Sequence, residues 1–246
     1  MTSRTQDPVA IQRDYYTKTA DQYDDMHGAE GVSRKELLDV MCALLRVVET
    51  DTILDVGCGT GRGMQELSGR MPSLTAFGIE PVRALIEQGV EKARIARGIT
   101  LQGFGDKLPF ADSSVDVVCA FAILHHIREP NDVIREMMRV AKKAVLIVDS
   151  NRFGQGSWPL RLFKLAMYKL GLWGMVNFLK TGGKGYLITQ GDGLAYSYSV
   201  YDSLDCLARG ASRLMLLPGE DGYANSWLHP LLTSQSIIAF AIKGAD

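Results

Sequence analysis

The chain has 246 residues, 46% of them hydrophobic, and 27 Lys and Arg against 28 Asp and Glu leave a formal net charge of -1. That length suits one large α/β domain, and the near-neutral balance offers no bulk attraction to a phosphate backbone, so no nucleic-acid partner is expected. Cys42, Cys58, Cys119 and Cys206 lie far apart and form no C-x-x-C pair, which argues against a zinc site or disulfide framework and for a reducing compartment.

Met1 to Val9 is polar and lacks the apolar core of a secretory signal, so a cytoplasmic protein is expected. Pro8 to Met26 reads as a helical stretch of poor periodicity in which Tyr15, Tyr16 and Tyr23 alternate with charges. It reads as a cap or as a surface helix with packed tyrosines. The next stretch is a core-facing helix: Ser33 and Glu36 suit a capping box, and Leu37, Val40, Met41, Leu44, Leu45 and Val48 follow at helical spacing.

Ile53 to Gly63 reads Ile-Leu-Asp-Val-Gly-Cys-Gly-Thr-Gly-Arg-Gly, a buried parallel strand running into alternate glycines where main chain can approach a ligand closely. Asp55, ahead of the first glycine, would repel a pyrophosphate and suits a ligand that carries positive charge. Asp55, Gly57, Gly59 and Gly61 match a D-x-G-x-G-x-G signature. On these residues the chain resembles the class I S-adenosylmethionine-dependent methyltransferases, in their small-molecule branch. The resemblance implies an α/β, Rossmann-like fold: a seven-stranded, mostly parallel sheet with one antiparallel strand, helices on both faces and a helical lid insertion. It also implies S-adenosylmethionine as methyl donor and S-adenosylhomocysteine as product. A nucleotide-binding dehydrogenase shares the strand, glycine turn and acid, but Arg62 at the sixth motif position and Asp55 in a usually apolar place tell against it.

Further strands are expected at Leu74 to Glu80, Ile99 to Gly103, Val115 to Phe121 and Ala144 to Asp149, with helices after Gly63, near Pro81 and from Arg128 to Val140. Glu80, about 20 residues past the glycine loop at a strand tip, is placed for the hydroxyls of a ribose. By resemblance alone, Tyr23 meets the donor's carboxylate, Asp106 accepts from the adenine amino group, the Lys107 amide meets the ring, and Ala122 joins the donor-binding set. His125 and His126 follow the fourth strand; in the family's common pattern one of the two imidazoles braces the loop under the donor. Asp149, Ser150 and Asn151 mark the polar end of the fifth strand.

Beyond Asn151 the family pattern thins out. Leu160 to Leu179 is apolar yet interrupted by Arg161, Lys164, Lys169, Gly171 and Gly174, too broken to span a membrane and readable as two short helices. It is either a basic amphipathic element that touches a membrane or lipid substrate, or an insertion that roofs the site and buries its apolar side on the core; the roof is preferred. Glycines on both sides of Tyr186 to Gln190 suggest a hinged lid, and Ala195 to Tyr201 alternates like a half-buried strand before a helix from Asp202 or Ser203. Arg213 to Leu217 and Ser236 to Lys243 are expected as the final hairpin.

The expectation is one domain over 1–246, comprising cap helices (1–50), donor-binding core (51–150), lid or substrate-binding insertion (151–202), and a C-terminal helix with strand hairpin (203–246). Its activity would be methyl transfer to a small molecule, a hydroxyl of a sugar or secondary metabolite ahead of an amine or lipid-like acceptor, with a non-catalytic donor-binding scaffold as the other class. Asn151, Tyr186, Tyr196 and Tyr198 are the candidate acceptor contacts. His126 and His229 are the candidate bases, and no metal is expected. The sequence does not set the oligomeric state.

Overall fold

Ala144 to Ile147, a continuous apolar run, is wholly buried, as a central strand of a sheet covered on both faces must be. The structure is a computed structural model that describes residues 7–26, 31–95, 99–189, 191–219 and 226–244, with side chains from residue 35 onward in the second segment. The Ser33 side chain of the expected capping box, His27 and Gln190 lie outside the described residues.

The first half runs α1 (Pro8–Lys18), α2 (Tyr23–Met26), α3 (Gly31–Val47), β1 (Thr52–Val56), α4 (Arg62–Arg70), β2 (Thr75–Glu80), α5 (Arg83–Glu91), β3 (Thr100–Gln102), β4 (Val115–Phe121), α6 (Pro130–Val140) and β5 (Ala141–Ser150). The second half adds α7 (Trp158–Lys169), α8 (Trp173–Lys180), β6 (Tyr186–Thr189), β7 (Gly193–Tyr196), α9 (Leu204–Arg209), β8 (Arg213–Pro218) and β9 (Ser236–Ile242).

Seven strands form one sheet in the order β3-β2-β1-β4-β5-β9-β8, and β6 pairs with β7 in a separate hairpin. β9 runs against both neighbours, β5 and β8, and is the one antiparallel strand. Alternate residues of each strand feed opposite cores. Leu54, Val118 and Val145 pack with Val133, Ile134 and Met137 of α6. Ile53, Val117 and Leu146 pack on the other face with Leu38, Met41 and Leu45 of α3 and Met64 and Leu67 of α4. α6 starts on Pro130, and its buried residues recur at helical spacing, so one stripe faces the sheet. The strand order reverses at β1 and β4, and a ligand crevice opens at such a point, beyond the strands' carboxyl ends.

Three expectations change in detail. The helical stretch from Pro8 to Met26 breaks at Thr19, whose amide caps α1 by donating to Tyr15 O at 3.1 Å. The alternating run after Ala195 stays strand only to Tyr196; Ser199 then bridges Asn151, and a 3-10 turn precedes α9. The insertion does not bury its apolar side: neither α7 nor α8 has a buried residue. Polar groups of α7 face the body instead, where Lys164 donates to the carbonyls of Arg152 (2.8 Å) and Gln155 (3.0 Å), and Arg161 to that of Leu232 (2.8 Å).

Candidate active site

The glycine loop closes over the tips of β1 and β2. Gly57, Gly59 and Gly61 take φ of 76°, 56° and 75°, the left-handed region that side chains disfavour. A Cβ on Gly59 would stand 2.9 Å from Tyr23 Oη, and one on Gly57 would stand 2.8 Å from Ile123 Cγ2. Bare main chain is therefore required at this surface.

Two carboxylates lie beneath and beside the loop. Asp55 is 3% exposed, with the Cys119 thiol at 3.8 Å. Glu80 accepts from the amides of Gly59 at 3.0 Å and Val82 at 2.9 Å. Burial pushes both pKa values up, and the charge of Glu80 adds to the rise at Asp55. Among the described residues no Lys, Arg or His acts on either acid. A ligand with an ammonium and a sulfonium would supply the missing positive charge, and its ribose would supply donors to the carboxylates, so these residues fit S-adenosylmethionine.

The N-terminal helices are clasped onto this loop. Asp24, next to Tyr23, accepts from Thr60 Oγ1 (2.8 Å), Lys92 Nζ (2.6 Å) and Arg94 Nη1 (2.6 Å). Burial alone would raise its pKa, but the bonds from Lys92, Thr60 and Arg94 prevail and hold it at about 2. Tyr23 is thereby fixed against the loop, and Tyr16 packs edge-on to it at 5.4 Å.

A second cluster lies past β4. His125 Nδ1 is 2.7 Å from Asp149 Oδ1, and the other oxygen of Asp149 accepts from the Leu124 amide at 2.7 Å, so this imidazole is tied to the carboxylate that holds the loop after β4. Its Nε2 faces Asp192 Oδ2 at 3.2 Å. Burial would lower the His125 pKa, but the two carboxylates raise it to about 10. Asp192 is pulled well below the ordinary carboxylate range by His125 and His126, against the effect of burial. His126 Nδ1 donates to Leu194 O at 2.6 Å, and its Nε2 lies 3.3 Å from both Tyr16 Oη and Asp192 Oδ1. Gln12 of α1 accepts from the Leu194 amide at 2.5 Å, tying the cap to the hairpin. Donor atoms of His125, His126 and Asp192 lie within 4.8 Å of one another, the one such group among the described residues that could hold a metal ion.

A cavity of about 950 Å³ joins the two clusters. Tyr23, Asp55, Gly57 and Ala122 line it at the loop, and Tyr186, Tyr196 and Tyr198 line it under the insertion. Ala122 holds φ 55° with its amide on Val148 O at 2.7 Å. Gly59 and Gly61 belong to the loop but not to the lining, and Glu80 lies beneath it. Asp106 and Lys107 are exposed and do not line the cavity. Asn151 is wholly buried: its Nδ2 donates to Leu231 O and Ser234 O at 2.7 Å, a structural brace away from the lining. His126 is not part of the lining, and His229 pairs with Thr233 Oγ1 at 2.6 Å in the turn before β9. The lining also holds His125, Asp192, Lys164, Asn177 and Lys180, for which the sequence pattern suggests no role as acceptor contacts. Asp192, an acid set between Gly191 and Gly193, was the available signal.

A sequence model of the family described as Methyltransferase domain matches residues 54–148. A demethylmenaquinone methyltransferase of Roseiflexus sp. (strain RS-1) is 33% identical over 129 residues, which are 52% of this chain and 54% of that protein. The chain spans about half the length of the curated relatives it matches first. Among solved structures, a SAM-dependent methyltransferase from Thermotoga maritima superposes with a TM-score of 0.61 at 14% identity, covering 94% of this chain and 99% of that one. Magnesium protoporphyrin IX methyltransferase of Synechocystis PCC 6803, solved with bound SAH, superposes at 0.59 with 17% identity over 97% of this chain and all of the other. These structures share the fold. Residues 54–148, with the acid-tipped glycine loop, thus match the Methyltransferase domain family, and the chain as a whole has the fold of the S-adenosylmethionine-dependent methyltransferases.

Proposed function

We propose that this protein transfers a methyl group from S-adenosylmethionine to a hydroxyl of a small polar acceptor of the sugar or secondary-metabolite kind. The observation that carries the hydroxyl is Asp192, a 44% exposed carboxylate in the cavity lining, held ionised by two imidazoles. The bound donor supplies a methyl already activated by its sulfonium.

The chain's own residues have three tasks. Asp55 and Glu80 would hold the donor by charge and hydroxyl contacts while Tyr23 covers it. Tyr186, Tyr196 and Asn177 would orient a hydroxylated acceptor, and Lys164 and Lys180 favour an acceptor that also carries an anionic group. Asp192 would take the acceptor's proton. The new O–CH3 bond forms as the S–CH3 bond breaks, and the oxygen becomes strongly acidic as it is alkylated. A carboxylate of low basicity is then a sufficient base. His125, with a pKa near 10, is an imidazolium at neutral pH and serves to position Asp192. This reading moves the base from His126 and His229 to Asp192, because neither histidine is in the lining.

The test is turnover with a donor carrying a 13C methyl, offered to panels of glycosides and phosphorylated sugars, of phenols, and of amines. The carbon chemical shift of the product separates an O-methyl from an N-methyl or C-methyl group. An O-methyl product is expected, and transfer only to nitrogen or carbon would overturn the hydroxyl assignment. Absence of calorimetric binding of S-adenosylmethionine would overturn the whole reading.

A further inference from the structure

The insertion carries large apolar side chains on its outer side. On α7, Arg161, Lys164, Leu165, Met167 and Tyr168 are the half-buried positions, whereas Leu162 and Phe163 on the helix and Leu170 just beyond it are exposed. On α8, Trp173, Val176 and Asn177 are half-buried, with Trp173 Nε1 donating to Ser197 Oγ at 3.2 Å and Asn177 Nδ2 to Gly185 O of the following loop at 3.3 Å, while Met175, Phe178 and Leu179 are 58%, 58% and 71% exposed. A helix in water turns its polar side outward. Here both helices also set large apolar side chains on the outer side, on one continuous stretch of chain, and exposed apolar surface of this kind marks an interaction face.

Charge identifies the partner. From Arg152 to Gly191 the sequence holds six cations (Arg152, Arg161, Lys164, Lys169, Lys180 and Lys184) and no Asp or Glu, while the rest of the chain has 21 cations against 28 acids. Lys169 and Lys184 are exposed, and among the described residues neither forms a salt bridge. Among the described residues no helix is long and apolar enough to cross a membrane. Short helices with an apolar outer side and interspersed lysines are suited to lie in the plane of a lipid–water interface. A second copy docked twofold on the same face would set the exposed Lys169 and Lys184 against their own equivalents with no acid of the segment to offset them, so charge disfavours it.

We infer that α7, α8 and the adjoining hairpin dock on an anionic lipid bilayer surface, with the apolar residues in the headgroup region and the lysines on its charge. The inner sides of the same helices line the cavity, so docking sets the acceptor side of the site against the membrane. That consequence for the acceptor rests on the methyl-transfer reading above; the docking itself does not.

Co-sedimentation with vesicles tests it, using the whole chain and comparing phosphatidylcholine alone with phosphatidylcholine containing phosphatidylglycerol. Binding about ten-fold tighter to the anionic vesicles is expected, weakening as salt is raised. Phe178→Asp with Leu170→Asp, and separately Lys169→Glu with Lys184→Glu, should each lower binding to anionic vesicles about ten-fold or more, with donor affinity by calorimetry unchanged. Equal or absent binding of the natural chain to both vesicle types overturns the inference without reference to any variant. A stable dimer by light scattering that Phe178→Asp dissociates also overturns it, by assigning the face to a second copy. Failure of the methyl-transfer reading would instead show as absent calorimetric binding of S-adenosylmethionine to the natural chain, which leaves the vesicle result intact.

Discussion

His125 and Asp149 meet at 2.7 Å, and the far nitrogen of the same imidazole points at Asp192, so one ring is shared by a buried carboxylate and a cavity-lining one. Its folded pKa of about 10 lies above the ordinary 6.5. A raised pKa contributes stability that is complete below the ordinary value and is lost as pH climbs through the folded one. The thermal midpoint should therefore fall between about pH 6.5 and pH 10, and His125→Gln should flatten that slope. A natural protein whose midpoint ignores pH over this span would show that the ring is not held as a cation.

Asp192→Asn keeps the shape of the side chain and removes its charge. It should lower kcat by ~10²-fold or more while donor affinity by calorimetry stays the same. His126→Ala is the matching comparison, because His126 Nδ1 is committed to Leu194 O. Turnover within a few-fold of the natural enzyme is expected there. A large loss in His126→Ala with full activity in Asp192→Asn would return the base role to the histidine.

Asp55 carries a buried charge that a cationic donor would complete. Asp55→Ala should leave the far-ultraviolet circular dichroism unchanged and cost ~2–5 kcal/mol of donor affinity, roughly 30-fold or more. Burial and Glu80 raise its pKa to about 7 before the donor arrives, so calorimetric affinity of the natural protein should strengthen as pH rises through neutrality. Unchanged affinity in Asp55→Ala contradicts the donor site.

Two glycines separate strain from flexibility. Gly59→Ala meets Tyr23 Oη at 2.9 Å and a φ of 56°, so it should lose ~1–2 kcal/mol of stability together with donor binding. Gly69 lies on α4, where an added methyl would find nothing within 4 Å. Its change to Ala should gain ~0.5–1 kcal/mol, read from urea unfolding.

Prolonged dialysis against EDTA should leave turnover intact. Protons and hydrogen bonds already satisfy His125, His126 and Asp192, although their donor atoms lie within 4.8 Å of one another. Loss of activity restored by a single divalent metal would make the cluster a metal centre.

The donor half was legible because local chemistry dictates it. Asp55 and the alternate glycines carry their constraint in consecutive residues, and the apolar runs of β4 and β5 announce burial on both faces. The acceptor half was legible only in outline. Two short helices appeared where the glycines at 171 and 174 interrupt the apolar stretch, but a helical period does not tell which side faces the body, and here that side mixes Arg161, Lys164 and Asn177 with Leu165, Met167 and Val176. Asp192 meets His125 across 67 residues and Gln12 reaches Leu194 across 182, contacts that no local pattern encodes. Asn151 shows the opposite difficulty: a polar residue at a strand's end suggests a ligand contact, yet its amide is consumed by two carbonyls of the following turn.

β9 covers the flank of β5 through seven residue pairs, from Ala144 with Ile242 to Ser150 with Ser236. A recombinant fragment trimmed to the recognised family region, 54–148, would keep most of β5 and discard the strand that shields it. Its unpaired rim of apolar backbone would then be free to recruit other chains. The stretch that carries the family signature is thus not a miniature of the protein, and deletion mapping that trims from the carboxyl end should yield insoluble material before it reaches the donor loop.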